Sequence, residues 1–225
     1  MTSVVRYDKN ASFPAHDHPG GEETLVLDGV FSDEHGDWPS GTYLLNPEGF
    51  RHAPFSRQGC DILVKLRQYP GTERQHLAVD TGTPKWHAVS QPGVFIKPLY
   101  IQEGFEDRTW LEQWSPIAEP GDRHYPAGAE LFVVEGAFSA EAGSYKAGSW
   151  LRYPAGSGHS PRTDQGCTPY VKTGGFVYLD SVPEDGTTSS PDHPGYYSMA
   201  GTRIAMVLRV PIHVANTSLS TFSLI

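Results

Sequence analysis

The chain has 225 residues, a formal net charge of −9, 24 glycines, 19 prolines and 12% aromatic residues. No run approaches the ~18 apolar residues of a membrane span, no Lys/Arg cluster offers a face to nucleic acid, and two cysteines are too few for a disulfide framework. MTSVVRYDKN has no basic patch leading into an apolar run, so we expect a cytoplasmic protein with no signal peptide and no membrane partner.

From the N-terminus, only SVVRYD precedes the histidines, and HDHPGGEE reads as a turn, with His16 and His18 on one side of it and Glu22 and Glu23 on the other. TLVLDGVFSD is an apolar strand that continues past a glycine; HGDWPSG is a turn, TYLLN a strand, PEGFRH a Pro-Gly turn and CDILVKLRQ a strand. Residues 71–93 read as a connection, and PGVFIKPLYIQ as a lead-in strand pair that the first half lacks. The pattern then starts again. Shifted by 107 residues, positions 16–65 fall on 123–172 without a gap and with 20 identities in 50, among them Gly29/Gly136, Gly49/Gly156, His52/His159 and Cys60/Cys167. Chance does not give that match, so the chain is a tandem duplication. A loop, SVPEDGTTSSPDHPG, and a strand-like run, TRIAMVLRVPIHV, close the chain.

No segment carries a sustained 3.6-residue apolar period with caps, and the strands recur about every ten residues. We therefore expect an all-β chain of two tandem jelly-roll barrels. Residues 1–82 form the first, 83–180 the second, and 181–225 a loop and C-terminal strand packing on a barrel.

In extended chain, positions 16, 18 and 22 share parity, so His16, His18 and Glu22 can face one side while Glu23 faces the other, unless the Gly-Gly turn resets the phase. His52 follows a Pro-Gly turn that can return it to the same face. Imidazole and carboxylate together suit a divalent ion. Taken alone, His-x-His also fits a pair of loop residues, and Glu23 competes with Glu22. In the second copy His16, His18 and Glu22 become Arg123, Tyr125 and Ala129, while His52 keeps a counterpart in His159 and Glu23 in Glu130. The first barrel should thus hold one metal ion and the second none, although His124 and Glu130 stay near its eroded site. Arg123 could bind an anion or make an internal ion pair. Cys60 and Cys167 read as small buried hydrophobes, with a redox role for Cys60 as the alternative. Trp38, Tyr43, Phe50 and Phe55 are either pocket lining or ordinary core.

The order His16-x-His18-x3-Glu22-x6-Gly29, then Gly41-x5-Pro47-x-Gly49-x2-His52, resembles the two motifs of the cupin superfamily. The phrases FPAHDHPGGEETLVLDGVFSDEHGDWPSGTYLLNPEGFRHAP and GCDILVKL resemble the cupin domain of ChrR-type anti-sigma factors, and the likeness extends over most of residues 4 to 180. It implies two cupin barrels and a metal site at His16, His18, Glu22 and His52. It also implies zinc as the ion, a sensory or stress-response role in transcription regulation, and a regulatory protein partner. The sigma-binding helical module of that family carries a His-x3-Cys-x2-Cys motif, which is not found here, so sigma-factor binding does not transfer. The same branch is similar to aryl-ketone and diketone dioxygenases, which makes a metal-dependent enzyme with Fe(II), or a site for Mn(II) or Ni(II), the alternative. A homodimer is expected.

Overall fold

The computed structural model describes residues 1–176 and the backbone of three two-residue strands, Ser198–Met199, Thr202–Arg203 and His213–Val214. The expected packing of 181–225 otherwise lies outside the described residues. No α-helix occurs among the described residues, and the chain divides into two compact units with the boundary between Thr83 and Pro84.

The first unit contains β1 (Thr2–Tyr7), β2 (Ala11–Ser12), β3 (His16–Asp17), β4 (Glu22–Asp33), β5 (Gly36–Pro39), β6 (Thr42–Asn46), β7 (Arg51–His52), β8 (Phe55–Ser56), β9 (Cys60–Leu66) and β10 (Leu77–Asp80). Its main sheet runs β1-β9-β4-β6-β10, all antiparallel, while β3 pairs with β7, β2 with β8, and β5 and β8 with the far half of β4. This is a jelly roll in which one long strand serves both walls.

The local chemistry of β4 explains how. Its register with β9 slips between Val26 and Asp28, which marks a β-bulge. Gly29 then takes φ 73°, and a Cβ there would run into the carbonyl oxygen of Gly59. Only glycine supplies both the left-handed backbone and the space. Beyond it the strand turns to the opposite wall, where Val30–Asp33 pair with β5.

Register fixes which side chains face inward. Val64 and Leu44 flank Thr24, Leu66 and Asn46 flank Glu22, and Val5 lies opposite Ile62. Tyr7, Val26, Phe31, Leu44, Cys60, Ile62 and Val64 form the buried core of this barrel. At about 1.5–3 kcal/mol for each fully buried large apolar side chain, this core is the main favourable contribution to the unit's stability.

The second unit contains β11 (His87–Ala88), β12 (Val94–Ile101), β13 (Arg108–Trp114), β14 (Arg123–Tyr125), β15 (Ala129–Ala140), β16 (Gly143–Lys146), β17 (Trp150–Tyr153), β18 (Ser157–His159) and β19 (Cys167–Thr173). It repeats the plan. β15 slips register between Val133 and Glu135, and Gly136 (φ 74°) meets the carbonyl of Gly166 as Gly29 meets that of Gly59. The lead-in strand differs from expectation. β13 pairs with β19 in the register that β1 keeps with β9, Thr109↔Lys172 matching Thr2↔Lys65. TSVVRY (2–7) is therefore the counterpart of TWLEQW (109–114), and the additional strands of the second unit are β11 and β12.

Candidate metal centre

His16 lies in β3 directly opposite His52 in β7. His18 sits in the following turn, and its backbone is held at three points. Its N–H donates to the Phe50 carbonyl (2.9 Å), and its carbonyl accepts from Gly21 N–H (3.1 Å) and Gly49 N–H (3.0 Å). The Gly-Gly turn and the Pro-Gly turn thus meet on one residue, which brings two distant loops to a single point. Glu22 opens β4 across from Asn46 and Leu66.

The side chains converge. One ring nitrogen from each of His16, His18 and His52 lies within 4.8 Å of the others. His18 Nε2 is 2.9 Å from His52 Nε2, and Glu22 Oε2 is 3.6 and 3.7 Å from those two atoms. His18, Glu22 and His52 are buried, and His16 is partly so. Glu23 turns away and accepts a hydrogen bond from Tyr43 Oη (2.6 Å).

Two of the three tautomers are set by neighbours. His16 Nδ1 lies 2.9 Å from the Pro14 carbonyl, an acceptor only, so Nδ1 carries the proton and Nε2 is bare. His52 Nδ1 lies 3.1 Å from Asp33 Oδ2, which fixes it in the same form. A carboxylate behind a histidine is the usual outer support of a metal-binding imidazole. Burial, then the adjacent His52 and His16 rings, lowers the His18 pKa to about 4, so it is neutral at pH 7. Burial raises the Glu22 pKa, although Asn46 Nδ2 donates to its Oε2 at 2.9 Å. The neutral His18 ring, the His16 and His52 rings and the buried Glu22 carboxylate form a donor set that suits a divalent ion.

Asp33 and Asn46, which hydrogen-bond to His52 and Glu22, are candidate supporting residues that the sequence reading missed. Asp33 also accepts from the N–H groups of His35 (2.9 Å) and Gly36 (3.1 Å) and from Trp38 Nε1 (3.3 Å). Burial pushes its pKa up, but these bonds and the one to His52 outweigh burial and hold it below the ordinary value. In sequence it reads only as the last residue of the strand TLVLDGVFSD. The repeat did carry the signal, because Asp33 becomes Ala140 and Asn46 becomes Tyr153, lost together with the candidate ligands.

Beside the cluster lies a cavity of about 210 Å³. Val5, Tyr7, Phe13, Ile62, Val64 and Leu66 supply most of its wall, and His16, His18 and Glu22 border it. None of the aromatic residues named from the sequence lines it. Tyr43 lies on the opposite face with Glu23, Phe50 stacks on His76 (4.8 Å between centroids), Phe55 carries Arg57, and Trp38 packs on the core. Strand parity puts Tyr43 on the wrong face, while Phe50 and Phe55 belong to the short strands and turns of the other wall.

The second barrel presents a different arrangement at the equivalent points. Both ring nitrogens of His159 are engaged by phenols, Nε2 by Tyr125 Oη (3.1 Å) and Nδ1 by Tyr153 Oη (3.0 Å). Arg123 makes an ion pair with the buried carboxylate of Glu112 (2.7 Å), as the ion-pair reading had it. His124 is exposed, whereas Glu130 is buried on β15 opposite Lys172. Among the described residues, the cluster in the first barrel is the one group of three such donors close enough to share an ion. Both cysteines are free and buried, and burial raises the Cys60 pKa to about 11 and that of Cys167 to about 12. Such thiols are inert at neutral pH.

A family model described as the ChrR cupin-like domain matches residues 1–70 and again residues 74–177. No curated protein matches the sequence. Among solved structures, a protein of Nostoc punctiforme assigned as a candidate dioxygenase aligns with a TM-score of 0.62 at 17% identity, over 76% of this chain and 67% of that one. Salicylate 1,2-dioxygenase from Pseudaminobacter salicylatoxidans aligns at 0.59 and 13%, over 80% and 72%. Oxalate decarboxylase from Bacillus subtilis aligns at 0.57 and 12%, over 76% and 67%. At these identities the likeness shows a shared fold. No helix among the described residues is long and apolar enough to cross a membrane.

Proposed function

The chain belongs to the ChrR cupin-like domain family, and from that premise we propose that it is a metal-binding bicupin with a sensory or regulatory role. One divalent ion, zinc, is held by His16, His18, Glu22 and His52. The observation that carries this reading is the convergence of His18 Nε2, His52 Nε2 and Glu22 Oε2 within 3.7 Å of one another, with the His16 ring nitrogen beside them. Asp33 and Asn46 orient two of these donors from behind. A bound divalent ion would supply Lewis acidity and fix the loops that carry the histidines. Because the cysteines are inert, a signal acts on the metal site rather than on a thiol, and it passes to a protein partner.

Elemental analysis of protein purified without added metal tests the reading. One equivalent of zinc per chain that survives dialysis supports it; a chain that retains no divalent ion contradicts it.

The apolar cavity at the cluster favours a second reading, a metal-dependent dioxygenase with Fe(II) or Mn(II) acting on small ketones. An octahedral ion held by four protein ligands would leave two positions for exogenous groups. Anaerobic reconstitution with Fe(II), followed by oxygen uptake across β-diketones and hydroxy-aryl ketones, separates the two. More than one turnover, abolished in His52→Ala, would favour the enzyme.

A further inference from the structure

The turn PEGF, residues 47–50, leads the chain into His52, and its two copies share a backbone pattern but not their side chains. Pro47 and Gly49 recur as Pro154 and Gly156, whereas Glu48 and Phe50 become Ala155 and Ser157. His35, between β4 and β5, becomes Ala142. The frame of a barrel therefore does not need these three side chains, and they are lost together with the candidate ligands. In the first barrel each of them has a partner. Glu48 Oε2 accepts from the N–H of Gly71 (2.7 Å), and the Phe50 ring stacks on His76 with centroids 4.8 Å apart and an interplanar angle of 19°. The His35 ring lies 5.1 Å from Phe50 and 6.5 Å from His76. Phe50 in turn meets His52 edge to face, with centroids 5.7 Å apart.

Resting on the proposed metal site, we infer that residues 71–76 form an outer clasp of that centre, with His76 as a positioning residue that acts on His52 through Phe50. The His52 ring is tied to Asp33 at Nδ1, which fixes one atom and leaves the ring free to pivot about that bond. Packing must set its plane, and Phe31 (6.1 Å) and Phe50 (5.7 Å) are the phenylalanine rings against it. Phe31 is held in the buried core, whereas Phe50 is only partly buried and ends a turn. Such a side chain has other staggered rotamers open to it. A stacked ring favours the one rotamer that keeps Phe50 on His52, by about 2- to 12-fold in population. The clasp is itself held at both ends. Gly71 is bound by Glu48, and Leu77, next to His76, pairs with Leu45 of β6. The following residue of β6 is Asn46, which supports Glu22. His76 lies outside the group of converging donors, so its effect is on orientation and not on coordination.

The test is the zinc affinity of the full chain by chelator competition, read beside the melting temperature of the metal-free chain and the visible absorption of Co(II) put in place of zinc. His76→Ala should weaken zinc binding about 3- to 10-fold and change the Co(II) spectrum. Its metal-free melting temperature should stay within about 2 °C of the wild type, because His76 is exposed. His76→Phe keeps a stacking ring and cannot ligate, so it should restore both the affinity and the spectrum. Glu48→Ala, which frees the other end of the clasp, should weaken zinc binding in the same direction. Wild-type affinity in His76→Ala would overturn the inference, as would a His76→Phe variant as weak as His76→Ala. A weaker affinity that comes with a lower metal-free melting temperature and an unchanged Co(II) spectrum would also overturn it. Each of these leaves the metal reading intact. A wild-type chain that retains no zinc overturns that reading, and the inference with it.

Discussion

Glu22 and Glu23 are adjacent, both buried, and chemically identical, yet their surroundings give them different work. Glu22 faces two imidazoles with Asn46 behind it, whereas Glu23 takes the Tyr43 hydroxyl on the other face. Glu22→Gln should therefore weaken metal retention strongly while leaving the metal-free fold as stable or more so, because it removes a desolvated charge. Glu23→Gln should keep the metal. Asp33→Ala should lower metal affinity about 10- to 100-fold by releasing the His52 ring, as measured by competition with a chelator. Parity made the two glutamates distinguishable in the sequence; the support from Asp33 was not, since it crosses from the end of β4 to His52 on β7.

Burial holds His18 and His159 neutral, each with its pKa lowered to about 4 from the ordinary 6.5. The folded, metal-free chain then binds fewer protons at these sites than the unfolded chain between those values. Their contribution to stability is complete above pH 6.5 and is lost as pH falls towards 4. Glu22, with its pKa raised by burial, acts in the opposite direction but is a single group. Metal-free protein should melt at progressively lower temperature on acidification through this window. His159→Gln should be less stable at pH 7 and show a shallower fall. An unchanged slope would mean that His159 is not held neutral.

At the scale of elements, the glycines of the repeat are the geometry of the barrel. Gly29 combines φ 73° with a Cβ position blocked by the Gly59 carbonyl, while Gly49, at φ 81°, has open space around its Cβ position. Gly49→Ala should cost about 1–2 kcal/mol for the left-handed backbone alone. Gly29→Ala adds a backbone collision and should cost clearly more, which denaturant midpoints will rank. Strand positions were legible because turn residues bound each apolar run. Alternation was not, because Glu23, Leu25, Tyr43 and Leu45 on the second face of the sheet are buried as fully as Thr24, Val26 and Leu44 on the first. A strand buried on both faces shows no period of two. The cavity was illegible for a related reason, since it depends on register across β1, β9 and β4, which no local pattern encodes.

For the molecule as a whole, duplication gave two copies of one frame and divergence gave them different interiors. The frame was readable by sliding the sequence along itself, because Gly29/Gly136, Gly49/Gly156 and Pro47/Pro154 serve the same backbone in both copies. The divergence was readable at the ligand positions and not along β1, where Ser3, Val5 and Tyr7 share no identity with Trp110, Glu112 and Trp114. Each chain is expected to hold one complete metal centre, in the first barrel only. The most direct test is metal stoichiometry by elemental analysis of the wild type, His52→Ala and His159→Ala after exhaustive dialysis. We expect one equivalent in the wild type, one in His159→Ala, and none in His52→Ala. Two equivalents in the wild type, or metal retained in His52→Ala and lost in His159→Ala, would contradict it.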